Sequence, residues 1–398
     1  MDLLVTPSIT EAVEVSVVIP VLNSAKALVA CLEALTVQRT SRSFEVIVVD
    51  DGSTESLTGI QTAFSGRFTM LKWIRCDQNR GPAFARNIGI ERARAGIILF
   101  TDADCRPEPD WLDRLAKPFS DPAVRGAKGV YATDQEDLFA RLAQLEFDER
   151  YECLAAAPSG DIDFIDTYAG AYRRADLLDV GGFDTSFSKA DNEDVDLSFR
   201  IKARGGRFIF VPDAVVRHRH REGWLKYARL KFNRGYWRMR VYEKHPSKAG
   251  NDSYTPRSLK LQMVLITLLA LMVLMTLISL LTLTAKRFLK ILKDVISGSP
   301  ILSNDSLKLL SPAAHHAFAE FSCGRMGKCA TAALSGGFGL WGVSLLPLGR
   351  IAVASGRREL VPWLVPFTLT RAIAIECGMA VGLLEKTVYF LRKPLKLG

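Results

Sequence analysis

The sequence lacks the cysteine pairs and glycine-rich phosphate loops that mark several large classes of protein. Its seven cysteines are scattered and odd in number. None stands in a CxxC pair, so the pattern offers no zinc site and is typical of free thiols in a reducing compartment. No GxGxxG follows the first predicted strand, and GxxxxGK followed by Ser or Thr is absent. These absences argue against a Rossmann dinucleotide site and a P-loop nucleotide site.

Long uncharged stretches, in contrast, are present towards the C-terminus. The chain is 48% hydrophobic, which is high for a soluble enzyme. Residues 263–283 carry no charge, and about 20 apolar residues suffice to cross a hydrocarbon core of about 30 Å. Two further apolar stretches follow, interrupted by glycines and prolines. We predict membrane spans at about 262–284, 331–354 and 360–384.

Basic residues are in excess and cluster beside these stretches. The formal net charge is +9. Nucleic acid could attract such charge, but an anionic membrane surface accounts more simply for its position. Residues 224–242 interleave aromatic and basic side chains, as a helix lying on a membrane does; a solvated basic face is the alternative. We therefore expect membrane lipids as partners and no specific nucleic acid.

Short apolar strands alternate with helical patterns in the first hundred residues. Residues 15–20, 44–49 and 96–100 are predicted as buried strands, and residues 25–35 and 84–95 as helices. This rhythm predicts an α/β fold with a mixed, mainly parallel sheet flanked by helices. In such sheets ligands bind beyond the carboxyl ends of the strands, where the strand order reverses.

Carboxylates follow two of these strands. Asp50 and Asp51 end one, and Asp102 and Asp104 follow the other. Side chains alternate along an extended chain, so Asp102 and Asp104 point the same way. Two carboxylates this close repel each other unless they share a cation, and a divalent metal carrying a nucleotide diphosphate would suit them. The alternative is a turn in which Asp caps backbone amides.

Six short segments with distinctive residues follow one another in order. They are VSVVIPVLN at 15–23, VVDDGS at 48–53, NRGPAFARN at 79–87, TDAD at 101–104, GGFD at 181–184 and NEDVDL at 192–197. Together they resemble the family 2 glycosyltransferases with the GT-A fold. The resemblance, with the composition, implies this division: a leader at 1–13, a GT-A domain at 14–220, a basic aromatic linker or interfacial helix at 221–257 and an α-helical membrane region at 258–398.

The resemblance implies a donor site in the first half of the domain. Asp51 would bind the base of a nucleotide-sugar, taken as uracil, in a pocket lined by Pro20 and Asn23. Asp102 would contact the ribose or the metal, and Asp104 would bind the metal, Mg²⁺ or Mn²⁺. A dication with oxygen ligands neutralises the departing diphosphate.

Cationic side chains also acquire roles from the resemblance. Arg86 would lie near the donor phosphates, the alternative being a cation on a helix surface. His218 would complete the metal site or contact phosphate, because neutral imidazole is a competent ligand; a solvated basic loop is the alternative. Arg234 and Trp237 would contact the acceptor.

A further carboxylate is implied as the general base. Asp194 would take the proton of the acceptor hydroxyl in an inverting transfer, or Glu193 or Asp196 in a shifted alignment. Helix capping is the alternative for Asp194, and Glu193 would also contact the acceptor. Gly181 and Gly182 would let the backbone approach the acceptor closely; a plain turn is the alternative.

The expected function is transfer of one sugar, since the QxxRW signature of processive synthases is absent and residues 233–238 read NRGYWR. We expect a membrane-anchored inverting glycosyltransferase that moves a sugar from a nucleotide-sugar to a hydroxyl of a lipid-linked or membrane-proximal glycan, in cell envelope polysaccharide biosynthesis. One alternative is a polyprenyl-phosphate glycosyl synthase, whose phosphate nucleophile needs no strong base. Another is a non-catalytic membrane protein that binds nucleotide or anionic lipid.

The side of the membrane is predicted from thiols and charge. Free cysteines, with Arg257 and Lys260 before the first span, place the catalytic domain on the cytoplasmic face of the inner or plasma membrane. The basic residues at 286–293, beyond that span, favour the opposite orientation.

Overall fold

The computed structural model describes residues 12–157, 160–187, 191–249, 252, 255–296 and 325–392. The predicted leader lies almost wholly outside the described residues. Contacts divide the chain into two compact units, one of Met1–Pro256 with Arg350–Gly398 and the other of Arg257–Gly349. The predicted domain boundaries themselves stay predictions.

The strands all belong to the first unit. They are β1 Val15–Val21, β2 Phe44–Asp50, β3 Leu71–Arg75, β4 Ile97–Phe100, β5 Cys105–Pro107, β6 Val124–Ala132, β7 Asp161–Ile162, β8 Gly170–Arg173 and β9 Arg207–His218. The helices are α1 Ala25–Thr36, α2 Thr58–Phe64, α3 Pro82–Arg92, α4 Trp111–Ala116, α5 Leu138–Ala155, α6 Arg174–Asp179, α7 Glu193–Lys202, α8 Trp224–Lys244, α9 Arg257–Ile296, α10 Arg325–Ala354 and α11 Leu364–Arg392.

One sheet joins the strands in the order β3-β2-β1-β4-β8-β6-β9-β5, with β7 beside β9. The strands β3, β2, β1 and β4 are mutually parallel, and β8 runs antiparallel between β4 and β6. The chain continues from β1 to β2 on one side and returns to β4 on the other, so the strand order reverses at β1. The longest pairings are parallel, which confirms the predicted α/β fold with a mixed, mainly parallel sheet.

Helices cover both faces of the sheet. On one face Leu28 and Leu32 of α1 and Trp111 of α4 are buried, and on the other Ile90 of α3 and Leu197 of α7. The β-branched strand residues between them carry no polar atoms, so burying them stabilises the fold at about 25 cal/mol per Å². This packing holds the carboxyl ends of β1, β2 and β4 along one edge.

The last long strand, β9, reaches His218 although Pro212 interrupts it. Proline cannot donate to a strand ladder. The pairing with β6 therefore shifts register, from Lys128 opposite Phe210 to Val130 opposite Val215. The strand resumes after this bulge and ends beside β5, where Cys105 lies opposite His218.

Within the described part of the chain, three helices are long and apolar enough to cross a membrane, namely Arg257–Lys293, Ser335–Ala354 and Arg358–Thr387. They coincide with the three predicted stretches. The basic residues at 286–293 continue α9 without a break. Within the second unit, Gln262 of α9 donates from Nε2 to Ser344 Oγ of α10 at 3.1 Å.

Candidate active site

A cavity of about 270 Å³ lies at the carboxyl edge of the sheet in the first unit. Its acidic lining residues are Asp102, Asp104, Asp166, Asp191, Glu193 and Asp194. Its basic lining residues are Arg86, His218, Arg219, His220, Arg221, Lys231 and Arg234. Seven of the residues singled out from the sequence therefore meet here: Arg86, Asp102, Asp104, Glu193, Asp194, His218 and Arg234.

The strand-end carboxylates reach this cavity through a tight turn. The amide of Cys105 donates to the carbonyl of Asp102 at 3.0 Å, and Ala103 is buried. Asp102 is half-buried and Asp104 exposed. Carboxylate and thiol ligand atoms of Asp102, Asp104 and Cys105 lie within 4.8 Å of one another. This is close enough to share one ion.

His218 approaches the same carboxylates from β9. Its Nε2 lies 3.2 Å from Asp104 Oδ2, and its ring stacks on Tyr131 with centroids 4.6 Å apart. Partial desolvation by the surrounding walls of the cavity acts to raise the pKa of Asp104, but the hydrogen bond and charge of His218 outweigh it and the net shift is downward. Asp104 is therefore ionised at neutral pH.

The donor set fits a hard divalent cation. Burial raises the pKa of the Cys105 thiol well above its usual value, which disfavours the thiolate that a soft metal would bind. Two carboxylates with one imidazole remain, and oxygen-rich sets of this kind suit Mg²⁺ and Mn²⁺.

Arg86 joins the two acidic segments. It is only 2% exposed, which excludes the alternative of a helix-surface cation. Its Nη1 donates to Glu193 Oε1 and its Nη2 to Asp102 Oδ1, both at 2.8 Å. The guanidinium thus fixes the start of α7 against the end of β4.

The start of α7 carries two neighbouring acids in a buried setting. Asn192 has φ +70°, in the left-handed region, and the helix begins at Glu193. Burial is the main cause that raises the pKa of Glu193, and the adjacent charge of Asp194 adds to it. Burial likewise raises the pKa of Asp194. Among the described residues, Glu193 Oε2 has no hydrogen-bond partner. A carboxylate with a raised pKa in a cleft is suited to proton transfer.

The opposite wall comes from α8 and the turn before it. Lys231 is buried and donates to Glu146 Oε1 at 2.5 Å, and Tyr227 Oη donates to Glu146 Oε2 at 2.9 Å. Burial lowers the pKa of His220 to about 3, so its ring is neutral and faces Gln144 Oε1 at 2.9 Å. From the sequence these basic residues could be identified only as a charged stretch, because their partners Gln144 and Glu146 lie on α5.

Three predicted donor-site residues do not line the cavity. Pro20 lies within β1. Asn23 Oδ1 accepts from Thr54 N at 2.8 Å. The carboxylate of Asp51 accepts from the amides of Arg80 at 3.0 Å and Gly81 at 2.8 Å. They shape the neighbouring ends of β1 and β2, and their donor-binding role stays a prediction.

Three predicted acceptor residues also lie off the cavity. Gly181 and Gly182 have φ +77° and +69°, and a Cβ on Gly182 would lie 2.4 Å from Asn87 Oδ1. Glycine is required there by the turn itself. Trp237 packs against Phe187, with ring centroids 5.7 Å apart. Their acceptor role stays a prediction.

Several lining residues were missed from the sequence. Tyr131 lies in β6, whereas Asp166 and Tyr168 lie together in the segment before β8, and none of the three follows an acidic motif. Tyr168 stacks on Tyr131 with centroids 3.3 Å apart, and buried Lys128 forms an ion pair with Asp166. No local signal reports such pairings, since each depends on the register between β6 and the segment before β8.

Known proteins are similar to part of this chain in sequence. Residues 16–178 match the family model described as Glycosyl transferase family 2. The pre-mycofactocin glycosyltransferase of Mycobacterium tuberculosis is 32% identical over 212 residues, which are 52% of this chain and 43% of that protein. Glycosyltransferase AglE of Haloferax volcanii is 40% identical over 111 residues, which are 28% of this chain and 36% of AglE.

The fold has a solved counterpart. Mannosyltransferase PcManGT from Pyrobaculum calidifontis, in complex with GDP-Man and Mn²⁺, covers 94% of this chain and 88% of its own, with a TM-score of 0.55 and 18% identity. The chain spans less than half the length of each of these two curated relatives. The ordered motifs and the match over residues 16–178, which is less than half of the chain, make this part of the chain similar to glycosyltransferase family 2.

Proposed function

We propose that this chain is a membrane-anchored, inverting glycosyltransferase. It would move one sugar from a nucleotide-sugar donor, a UDP-sugar, to a hydroxyl of a lipid-linked or membrane-proximal glycan of the cell envelope. One observation carries the proposal: a single cavity holds both the strand-end carboxylates and the acids that begin α7. The three long apolar helices support the membrane anchor.

Asp102, Asp104 and His218 would hold a Mg²⁺ or Mn²⁺ ion. Once bound, the ion would supply positive charge for the departing diphosphate. The role of Asp104 is to stay ionised, which His218 favours by its hydrogen bond at 3.2 Å. Arg86 keeps Asp102 in place from behind, through the 2.8 Å contact to Oδ1.

Asp194 would act as the general base. In an inverting transfer one carboxylate removes the proton of the acceptor hydroxyl as the oxygen attacks. Burial raises the pKa of Asp194, and a base with a pKa nearer the operating pH takes a proton more readily. Its Oδ1 accepts from the amide of Val195 at 2.8 Å, which orients the carboxylate. No second acid is needed for the leaving group, in contrast to a hydrolase.

The test uses the full-length protein in detergent with Mg²⁺ or Mn²⁺ and a panel of UDP-, GDP- and dTDP-sugars. The GDP-sugars are included because the fold neighbour was solved with GDP-Man. We expect release of nucleoside diphosphate from one donor and loss of that release with EDTA. If no donor is consumed and nucleotide binding does not depend on metal, the non-catalytic alternative replaces the proposal.

A second candidate is transfer to a polyprenyl phosphate. It is favoured by Arg219, Arg221 and Arg234, which line the same cavity and would suit an anionic acceptor. The variant Asp194→Asn separates the two candidates. With a hydroxyl acceptor we expect kcat to fall by about 10²–10⁴-fold, whereas a phosphate nucleophile, already ionised, would keep most of its rate. Asp134→Asn, at an exposed acid outside the cavity, is the matched control.

A further inference from the structure

One of the three candidate spans, the helix α11, has two unlike faces. Five of its exposed apolar side chains are Val365 at 51%, Leu369 at 38%, Ile373 at 43%, Val381 at 44% and Leu384 at 63%. Residues four apart lie on one face of a helix, so these side chains form a continuous stripe, which we call the apolar stripe. Polar residues are expected there on a helix that faces water.

The other face of α11 packs along α8 for most of its length. The ring of Phe367 packs at a tilt against that of Tyr227, with centroids 4.6 Å apart. Further along α11, Ile375 comes close to Gly235, Gly378 comes close to Phe232, and Lys386 forms an ion pair with Glu243. A Cβ on Gly235 would lie 2.1 Å from Ile375 O, and one on Gly378 would lie 2.0 Å from Phe232 O. The two helices therefore run parallel with their backbones nearly touching.

The partner helix α8 is unsuited to a hydrocarbon core. It carries seven lysines and arginines in 21 residues, and such side chains are costly at the centre of a bilayer. One of its sides also lines the cavity, through Tyr227, Lys231 and Arg234. On α11 itself, Arg371 is fully buried, with its Nη1 3.7 Å from Glu149 Oε2 of α5. Because α11 packs against α8 and α5, it could cross a membrane only if α8 and α5 entered the membrane as well.

We propose that α11 does not cross the bilayer but lies along its surface, with the apolar stripe at the boundary between headgroups and acyl chains. The apolar stripe would thus contact an anionic lipid surface. Charge complementarity supports this choice, since Lys226 and Arg229 of α8 are exposed and Leu225 beside them is 83% exposed. The inference goes beyond the proposed function and holds for any acceptor. It places a wall of the cavity one helix away from the membrane.

The first test is the sidedness of the two ends of α11. Cysteines are placed one at a time at Arg358, Thr387 and Asp77, all exposed, in a full-length chain where Cys76, Cys153, Cys323, Cys329 and Cys377 are serine. An impermeant maleimide is added to sealed membrane vesicles before and after permeabilisation. We expect all three positions to label from the same side, Asp77→Cys being the catalytic-unit reference. Labelling of Arg358→Cys and Thr387→Cys from opposite sides would overturn the proposal.

The second test measures depth and needs no new residue on α11. Cys377 is exposed, stands four residues from Ile373 and from Val381, and lies near the middle of the helix. A nitroxide on Cys377, with the other reactive cysteines replaced, is read by oxygen and nickel-chelate accessibility in vesicles of phosphatidylcholine and phosphatidylglycerol. Met275→Cys, 64% exposed in α9, serves as the reference for a span.

The two positions should give different depths. We expect the label at residue 377 about 5–10 Å below the phosphates, and the label at residue 275 near the centre, about 15 Å deep in a core of about 30 Å. Equal depths would refute the proposal. A label at 377 that is shielded from lipid, in a protein that light scattering shows to be dimeric, would instead assign the stripe to a second copy of the chain.

Discussion

Two pairs of carboxylates, one at the end of β2 and one after β4, look alike in sequence but have different partners in the structure. Asp50 and Asp51, after β2, are 4% and 3% exposed. Asp50 accepts from Ser53 N at 2.8 Å and from Arg75 Nη1 at 2.7 Å, and Asp51 accepts from two backbone amides. The protein itself satisfies this first pair.

The second pair faces the cavity. Asp102 accepts from Arg86, whereas Asp104 is exposed and contacts His218. Close packing also fixes the loop that follows the first pair. Gly52 has φ +76°, and a Cβ on it would lie 2.6 Å from Gln78 C, so the loop after β2 closes on its neighbour. The position of an acid at a strand end indicates where a ligand can bind, and the partners of its oxygens indicate whether the acid is available to it.

Of the four acids in the two pairs, Asp104 is the one whose replacement should have the largest effect. Asp104→Asn weakens the predicted metal site by removing an anionic ligand, and the positive charge of a bound dication is worth several kcal/mol in the transition state. Since each 1.36 kcal/mol changes a rate tenfold, we expect kcat/KM to fall by about 10²–10³-fold while Tm stays unchanged. Turnover of the donor found in the panel, measured over a range of Mn²⁺ concentrations, checks this.

The control for Asp104 is Asp134→Asn. Asp134 is exposed and forms an ion pair with Arg106 at 2.8 Å, an arrangement worth about 0–1 kcal/mol. We expect its kcat/KM and its Mn²⁺ dependence to match those of the unchanged protein. A fully active Asp104→Asn enzyme with the original Mn²⁺ dependence would mean that the second pair is no more available to a metal than the first.

The opposite result is expected for the first pair. In Asp51→Asn the side-chain amide would point an N–H at one of the two backbone donors, Arg80 N or Gly81 N. Leaving a buried donor unsatisfied costs about 1–3 kcal/mol, so Tm should fall by several degrees. Asp77→Asn, at an exposed acid in the following loop, should change the free energy of unfolding by less than about 0.5 kcal/mol. A raised donor KM with an unchanged Tm would show that Asp51 binds donor rather than holding the loop.

The contrast also shows how far sequence reasoning could reach. It predicted the strand-end acids and the start of α7 because both depend on local periodicity and helix-start signals. It could not separate the two acidic pairs, because Arg86 reaches Glu193 across 107 positions of the chain. The same holds for α11, whose composition indicates a span while its contacts with α8 and with Glu149 of α5 arise only in the folded chain.

The smallest effect is expected from replacing Glu193 at the start of α7. Burial raises the pKa of Asp194, and the enzyme would need this base ionised, so kcat/KM should fall on the acidic side of its pH profile. Burial and the adjacent charge of Asp194 raise the pKa of Glu193 to about 8, so Glu193 is protonated in the range where Asp194 titrates. Glu193→Gln therefore replaces one neutral group by another, and the acidic limb should stay in place. The exposed Glu91→Gln should likewise leave the limb in place. A limb that disappeared in Glu193→Gln would show that Glu193, and not Asp194, titrates as the base.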